Sequence, residues 1–433
     1  MISPLIKKLN KNPFLKNVVL LAGGTATAQA ITILSAPVVT RLYTPADFGV
    51  LTVFAAVIRI IGQLSTLRYS VTIPLAEDEN LADNILKLCF LITLSLSFLF
   101  GAGVLLFGDY FATRFSAAYA APYLWLLPVC LLGTGLYEAL SSWAVRRKYF
   151  KVIAQTKLSQ GLSSSGIKIG LGWLGIKPLG LLLGLLASQV AGTGSILLKL
   201  LKEKPRFFSS ISWIGIGYAA KKFSRFPLLQ SWSRLLLSLG VQLPAIFMAA
   251  FYGAEVVGLF GLAHAMVNMP MNLLGTSVAQ VYYAEIAKYG KSNPDKILKL
   301  SISIIKKMFF VGIIPMGMIM VAGPWMFGFV FGAEWHDAGA YARLLAIIIL
   351  TRFVASPVAH CFDVLEMQGT QLLLNIVRVV LIVIIFMICK SIGVSSYTAV
   401  NIYSVLLALY YIFMIIIIFV AIGSFKRITN ELS

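Results

Sequence analysis

The chain has 433 residues, 59% of them hydrophobic and only 12% charged, with a formal net charge of +20. A mean hydropathy of +0.89 lies well outside the range of soluble domains, so the expected class is an all-α, polytopic membrane protein. The positive charge is not a nucleic-acid footprint, because the cations fall in alternate loops rather than in one compact basic patch.

A helix needs about 20 mostly apolar residues to cross the hydrocarbon core. Such segments run almost end to end, at approximately 17–39, 48–73, 85–107, 123–145, 152–174, 178–198, 226–251, 256–284, 297–322, 341–362, 372–389 and 397–421. Twelve spans with both termini in the cytoplasm put Lys7, Lys8, Lys11, Lys16, Arg146, Arg147, Lys148 and the basic stretch from Lys199 to Arg225 inside. The outer loops then hold only Arg41, Arg114, Lys177 and Lys390, as the preference of Lys and Arg for cytoplasmic loops demands. On this topology Ser116 and Gly339 face outward, and Ser209 and Ser292 inward.

The first segment opens with basic residues and contains an A-x-A triplet at Ala28, Gln29 and Ala30, yet its apolar character continues to Val39. It is read as an uncleaved helix. Its Thr25, Gln29, Thr32 and Ser35 form a polar stripe that either lines a cavity or bonds a neighbouring helix. The second segment carries Arg59 near its middle, followed by Gln63, Thr66 and Ser70 at spacings of four, three and four, one face of a continuous helix. A charge at that depth costs roughly 2.5–3.5 kcal/mol and survives facing a cavity, partner or substrate. The fourth segment holds Glu138, the one acid well inside a span. A desolvated carboxyl there can have its pKa raised and carry a proton, which makes Glu138 a coupling candidate, with a hydrogen-bonding structural role as the alternative.

The fifth segment carries Gln160, Ser164 and Lys168 at intervals of four, and the sixth Gly180, Gly184, Ser188 and Gly192, a small-residue packing face. The basic, aromatic stretch before Arg225 marks the boundary between two six-helix halves, 1–205 and 206–433, and is expected to rest on the membrane surface. At an offset near 208 the second half echoes the first, as parallel repeats do in transporters. Polar stripes recur there: Gln230, Arg234, Ser238 and Gln242; His264, Asn268 and Asn272; Arg352, Ser356, His360 and Asp363; Gln371, Asn375 and Arg378. Cys89, Cys130, Cys361 and Cys389 are dispersed and read as packing residues; no spacing argues a metal or cofactor site.

R-L-Y-T-P-A-D-F-G before the second span, V-F-G-A-E-W-H-D-A-G-A-Y-A-R-L-L from Val330, and the twelve-span layout resemble polysaccharide-transport, O-antigen-type flippases. These belong to the multidrug, oligosaccharidyl-lipid and polysaccharide exporter superfamily. The resemblance implies two pseudo-symmetric six-helix lobes around a central cationic cavity opening alternately to either side. It further implies flipping of a polyprenyl-pyrophosphate-linked oligosaccharide across the bacterial inner membrane for O-antigen, capsule or exopolysaccharide assembly. Members often carry a basic residue after G-L-F-G-L-A, where this chain has His264.

The charge census agrees with that cargo, since pyrophosphate needs forked cationic donors and a sugar chain needs amides and hydroxyls. The candidate substrate-binding residues are Arg59, Gln63, Lys168, Arg234, Gln242, His264, Asn268 and Arg378. By topology Arg59 lies near the midplane, Arg234 in the inner half and Lys168 in the outer half, a track of cations at successive depths. Expected partners are the lipid-linked oligosaccharide and membrane lipids, with a coupling ion (proton or sodium) and polysaccharide assembly proteins as further candidates and no nucleic acid. Two rival readings are a multidrug exporter, which would want acids in the cavity, and a membrane-embedded glycan polymerase or ligase, which would want a large outer loop with catalytic groups.

Overall fold

The computed structural model describes residues 13–114, 118–209, 211–290 and 293–431, and these are helical throughout their long elements. Lys7, Lys8, Lys11, Ser116 and Ser292 lie outside the described residues. The N-terminal helices are α1 (Pro13–Leu42), α2 (Pro45–Ile61), α3 (Glu79–Arg114), α4 (Leu126–Arg146), α5 (Phe150–Trp173), α6 (Leu179–Val190), α7 (Thr193–Glu203) and α8 (Trp213–Lys222). They are followed by α9 (Ser231–Tyr252), α10 (Ala254–Tyr289), α11 (Pro294–Phe331), α12 (His336–Val358), the short α13 (Cys361–Val364), α14 (Gln368–Ile392) and α15 (Ser396–Glu431).

Taking α6 with α7 as one crossing and α8 as a surface helix, these elements give the twelve crossings. Among the described residues nine helical stretches are long and apolar enough to cross a membrane. The other three crossings, α1, α4 and α5, are 30, 21 and 24 residues long, so length suffices. Polar and small residues lower their hydropathy, and the packing shows why they are there. Gly161 on α5 meets Ala28 on α1 so closely that a Cβ would sit 3.0 Å from the Ala28 backbone, and Ser35 and Ser165 share a hydroxyl bond of 2.9 Å. Thr25 and Thr32 donate to carbonyls one turn back, Leu21 and Ala28. Of these hydroxyls Ser35 bonds the neighbouring helix, whereas Thr25 and Thr32 are satisfied within α1.

The chain divides into two compact units, Met1–Ser238 and Leu239–Ser433, so the division falls inside α9. In the first unit α1 packs on α5, α5 on α6, and α3 on α4 and α8; in the second, α12 packs on α10, α11 and α15. Helices α3 and α11 leave rows of large apolar side chains uncovered, including Leu94, Phe98 and Leu105, and Phe310, Ile314 and Phe329. In a bilayer such rows are the lipid-facing surface and carry no polar cost.

The second span departs from the sequence expectation of one helix over 48–73. Its α-helix stops at Ile61, passes through a 3-10 turn at Gly62–Leu64, and is interrupted at Leu67 and Arg68, both at positive φ (45° and 64°), before a second 3-10 stretch at Tyr69–Leu75. Two successive non-glycine residues in the left-handed region cost on the order of 1–3 kcal/mol each, so the surroundings must impose the bend. Arg59, Gln63, Thr66 and Ser70 therefore do not share one helical face.

Candidate functional site

The bend is imposed by α4. Glu138 accepts from the Ser65 hydroxyl (Oε2, 3.3 Å) and the Ser70 hydroxyl (Oε1, 2.7 Å), and its Oε1 lies 3.7 Å from Arg68 Nη1. Two turns further along α4, the Arg146 guanidinium donates to the carbonyls of Ile73 (3.2 Å), Ala76 (2.7 Å) and Asp78 (3.2 Å) and pairs with Glu79 (3.2 Å). A broken helix leaves carbonyls without intrahelical partners, and a planar guanidinium can serve several at once. Thr93 on α3 closes the site by donating to the Ser65 carbonyl at 2.9 Å. Glu138, alone among acids in the sequence, is thus not isolated in space. Arg146, counted in the sequence only as a cytoplasmic cation, is the second clasp.

The same unit holds four of the expected binding residues, Arg59, Gln63, Lys168 and Arg234. Arg59 is exposed although many protein atoms lie around it. Its carbonyl accepts from Ser238 Oγ (2.9 Å) and Gln63 Nε2 (3.2 Å). Lys168, half-buried on α5, is near enough for its charge to act on that of Arg59. Its stem lies across Gly184 of α6, where a Cβ would sit 2.4 Å from Lys168 Cγ. Arg234 is exposed and acts electrostatically on Arg68 rather than on Arg59. The N-terminal unit therefore carries an Arg59–Lys168 pair, and the Arg68–Glu138 pair with Arg234 near it.

The C-terminal unit holds two neighbouring cavities. One, of about 40 Å³, is lined by Asn268, Asn272, Thr276, Arg352 and Ser356 among apolar residues. The other, of about 20 Å³, takes His264, Arg352, Arg378, Tyr403 and Tyr411. Asn268 is buried and donates to the His264 carbonyl (2.9 Å), while His264 stacks on Phe260 at 5.8 Å. Arg378 is 7% exposed and its Nη1 is 3.5 Å from Tyr411 Oη. Gln242 is 5% exposed and lines neither cavity. Arg352, which lines both, is the residue that the stripe on the tenth span understated.

The two sequence motifs prove to be folding devices. In R-L-Y-T-P-A-D-F-G, Thr44 caps α2 by accepting from Asp47 N (3.3 Å), Asp47 returns the bond to Thr44 N (2.9 Å), and Pro45 occupies the first turn. Tyr43 is 2% exposed and donates to the Lys168 carbonyl at 2.8 Å. In the second motif Trp335 and Tyr341 are fully enclosed, and Gly339 lies against Gly323 so tightly that a Cβ would come within 2.3 Å of its carbonyl oxygen.

Solved structures of transporters share this multi-pass helical fold across nearly the whole chain. An inward-facing multidrug resistance MATE family transporter is 18% identical, with a TM-score of 0.64 over 94% of this chain and 95% of that one. A superfamily transporter from Pyrococcus furiosus is 17% identical, with a TM-score of 0.58 over 95% of this chain and 96% of that one. Residues 38–340 match the family model described as polysaccharide biosynthesis protein, and the chain belongs to that family. The teichuronic acid biosynthesis protein TuaB of Bacillus subtilis (strain 168) is 28% identical over 139 residues, 32% of this chain and 28% of that protein's length.

Proposed function

We propose that this protein is a flippase that carries a polyprenyl-pyrophosphate-linked oligosaccharide from the cytoplasmic to the outer leaflet of a bacterial inner membrane by alternating access, supplying surface polysaccharide assembly. The observation that carries the reading is the Arg59–Lys168 pair: two cations within each other's field, one of them open, in a unit whose acid Glu138 is engaged by Arg68. Like charges held together are stabilised by a shared anion, and a pyrophosphate offers enough oxygens for both. Gln63 adds an amide to that site, Arg234 is a further cation of the track, and Asn268, Gln242 and His264 are the sugar-side candidates. Both termini are taken as cytoplasmic.

A multidrug exporter would need uncompensated acids to attract organic cations, and the charge distribution favours an anion instead. For the Pyrococcus furiosus transporter, a binding pocket of reverse polarity suggests a different function, which fits a change of cargo within one fold. Purified protein in proteoliposomes should move a polyprenyl-pyrophosphate-linked oligosaccharide to the opposite leaflet, read by accessibility to an external glycosidase. Chain lengthening of the glycan without translocation would replace this reading with the polymerase one.

A further inference from the structure

We infer that α8 is a docking surface for anionic phospholipid and that lipid held there braces the broken second span. At ten residues α8 is too short to cross a bilayer, yet it is apolar on two sides. One side packs on the protein: Ile216 and Ala219 are buried in a cluster with Tyr69 and Ile73 of the second span and Leu81, Ala82 and Ile85 of α3. On the other, Trp213, Ile214 and Tyr218, at steps of one and four along the helix, are 68%, 89% and 59% exposed. Such a face beside membrane-crossing helices belongs in the bilayer interface, where Trp and Tyr settle at headgroup level.

Charge selects the lipid. Lys221 lies on the exposed side of α8, and Arg206 and Arg225 flank the helix, all three exposed. From Lys204 to Gly253 the sequence has no Asp or Glu, and Glu77, which reaches α8 from the loop after the second span, is engaged by Lys222 at 2.9 Å. Cations beside an apolar face complement a net-negative headgroup, each favouring an anionic over a neutral surface by roughly fivefold. The brace follows from what the buried side touches. Tyr69 Oη donates to the Ala220 carbonyl at 3.0 Å, one of the carbonyls that the end of α8 leaves without an intrahelical donor. Tyr69 stands between Arg68 and Ser70, the two residues of the second 3-10 stretch and its start that Glu138 holds. Fixing α8 at the membrane surface therefore fixes the far side of the break.

The test places the purified full chain in phosphatidylcholine nanodiscs carrying a fixed fraction of acyl-brominated lipid, either phosphatidylglycerol or phosphatidylcholine. Trp213 is read as the quenching present in the wild type and missing in Trp213→Phe. Brominated phosphatidylglycerol should quench it several-fold more than brominated phosphatidylcholine at low ionic strength, and added salt should shrink the difference. Lys221→Gln with Arg225→Gln should abolish the preference, whereas Lys306→Gln with Lys307→Gln, an equal loss of exposed charge on α11, should keep it. Phosphatidylglycerol should also raise apparent Tm by roughly 1–3 °C, and Tyr69→Phe should diminish that rise while keeping the quenching preference. Equal quenching by the two lipids, or none of Trp213 by either, would overturn the docking surface. So would an equal loss in the α11 pair, which would make the preference a general attraction of basic loops. Abolition of the preference by inorganic phosphate at constant ionic strength would make the ligand a free anion, and an undiminished Tm rise in Tyr69→Phe would remove the brace. No cargo enters these measurements, so failure of translocation bears on the flippase reading alone.

Discussion

The Ser70 hydroxyl lies 2.7 Å from Glu138 Oε1, a bond between residues 68 positions apart that joins the second, 3-10 half of the second span to α4. Ser65 bonds the other oxygen of the same carboxylate from the near side of the bend, so one side chain bridges the break. Leu67 and Arg68 hold their left-handed conformation between these two anchors.

Glu138→Gln keeps one oxygen acceptor for one hydroxyl and an NH2 that the other hydroxyl can accept from, and should reach the membrane at near wild-type level. Glu138→Ala should destabilise by roughly 1–3 kcal/mol, since it strips both hydroxyls of their acceptor and leaves Arg68 without its acid. Adding Arg68→Ala should restore part of the loss. Thermal unfolding in detergent and membrane protein level measure both. Transport by Glu138→Gln with unchanged dependence on the proton gradient would end the coupling role and leave the brace.

Arg146→Lys preserves the cytoplasmic charge but not the fork that spans three carbonyls. It should therefore lose about 2–3 kcal/mol, nearly as much as Arg146→Ala. Wild-type unfolding of Arg146→Lys would mean that charge alone, as counted from the sequence, is what matters at this position.

Arg59 is expected to act through charge. Arg59→Lys should keep part of the surface glycan output, whereas Arg59→Ala and Arg59→Glu should abolish it at unchanged membrane protein level. Full export by Arg59→Ala, or a loss explained by degraded protein, would return Arg59 to a structural role.

Topology can be checked with single cysteines at exposed positions in the free-thiol-less background. Asp337→Cys should label with an impermeant maleimide from outside, and Ser209→Cys only after permeabilisation. Gly339, an equally outward position by sequence, is unsuitable because its Cα abuts the Gly323 carbonyl. External labelling of Ser209→Cys would invert the assignment.

Much of this protein was legible in one dimension. Transfer free energy is a local property summed over about 20 residues, so hydropathy located the spans, and the bias of cations to alternate loops sets the expected direction that the cysteine labelling tests. The capping box at Thr44 and Asp47 is local too, as are the glycines that admit close helix packing. The partners of buried polar groups are not local. That Arg59 acts electrostatically on Lys168, that Glu138 is claimed by Arg68 and two hydroxyls, and that Arg352 and Arg378 line one cavity with Tyr403 and Tyr411 depend on which helices pack together. The second span shows the limit most plainly. Its sequence is apolar enough for an unbroken helix, and the break at Gly62–Arg68 exists because α4, reached only after another full crossing, supplies a carboxylate and a guanidinium that satisfy the backbone and hydroxyl groups the break sets free.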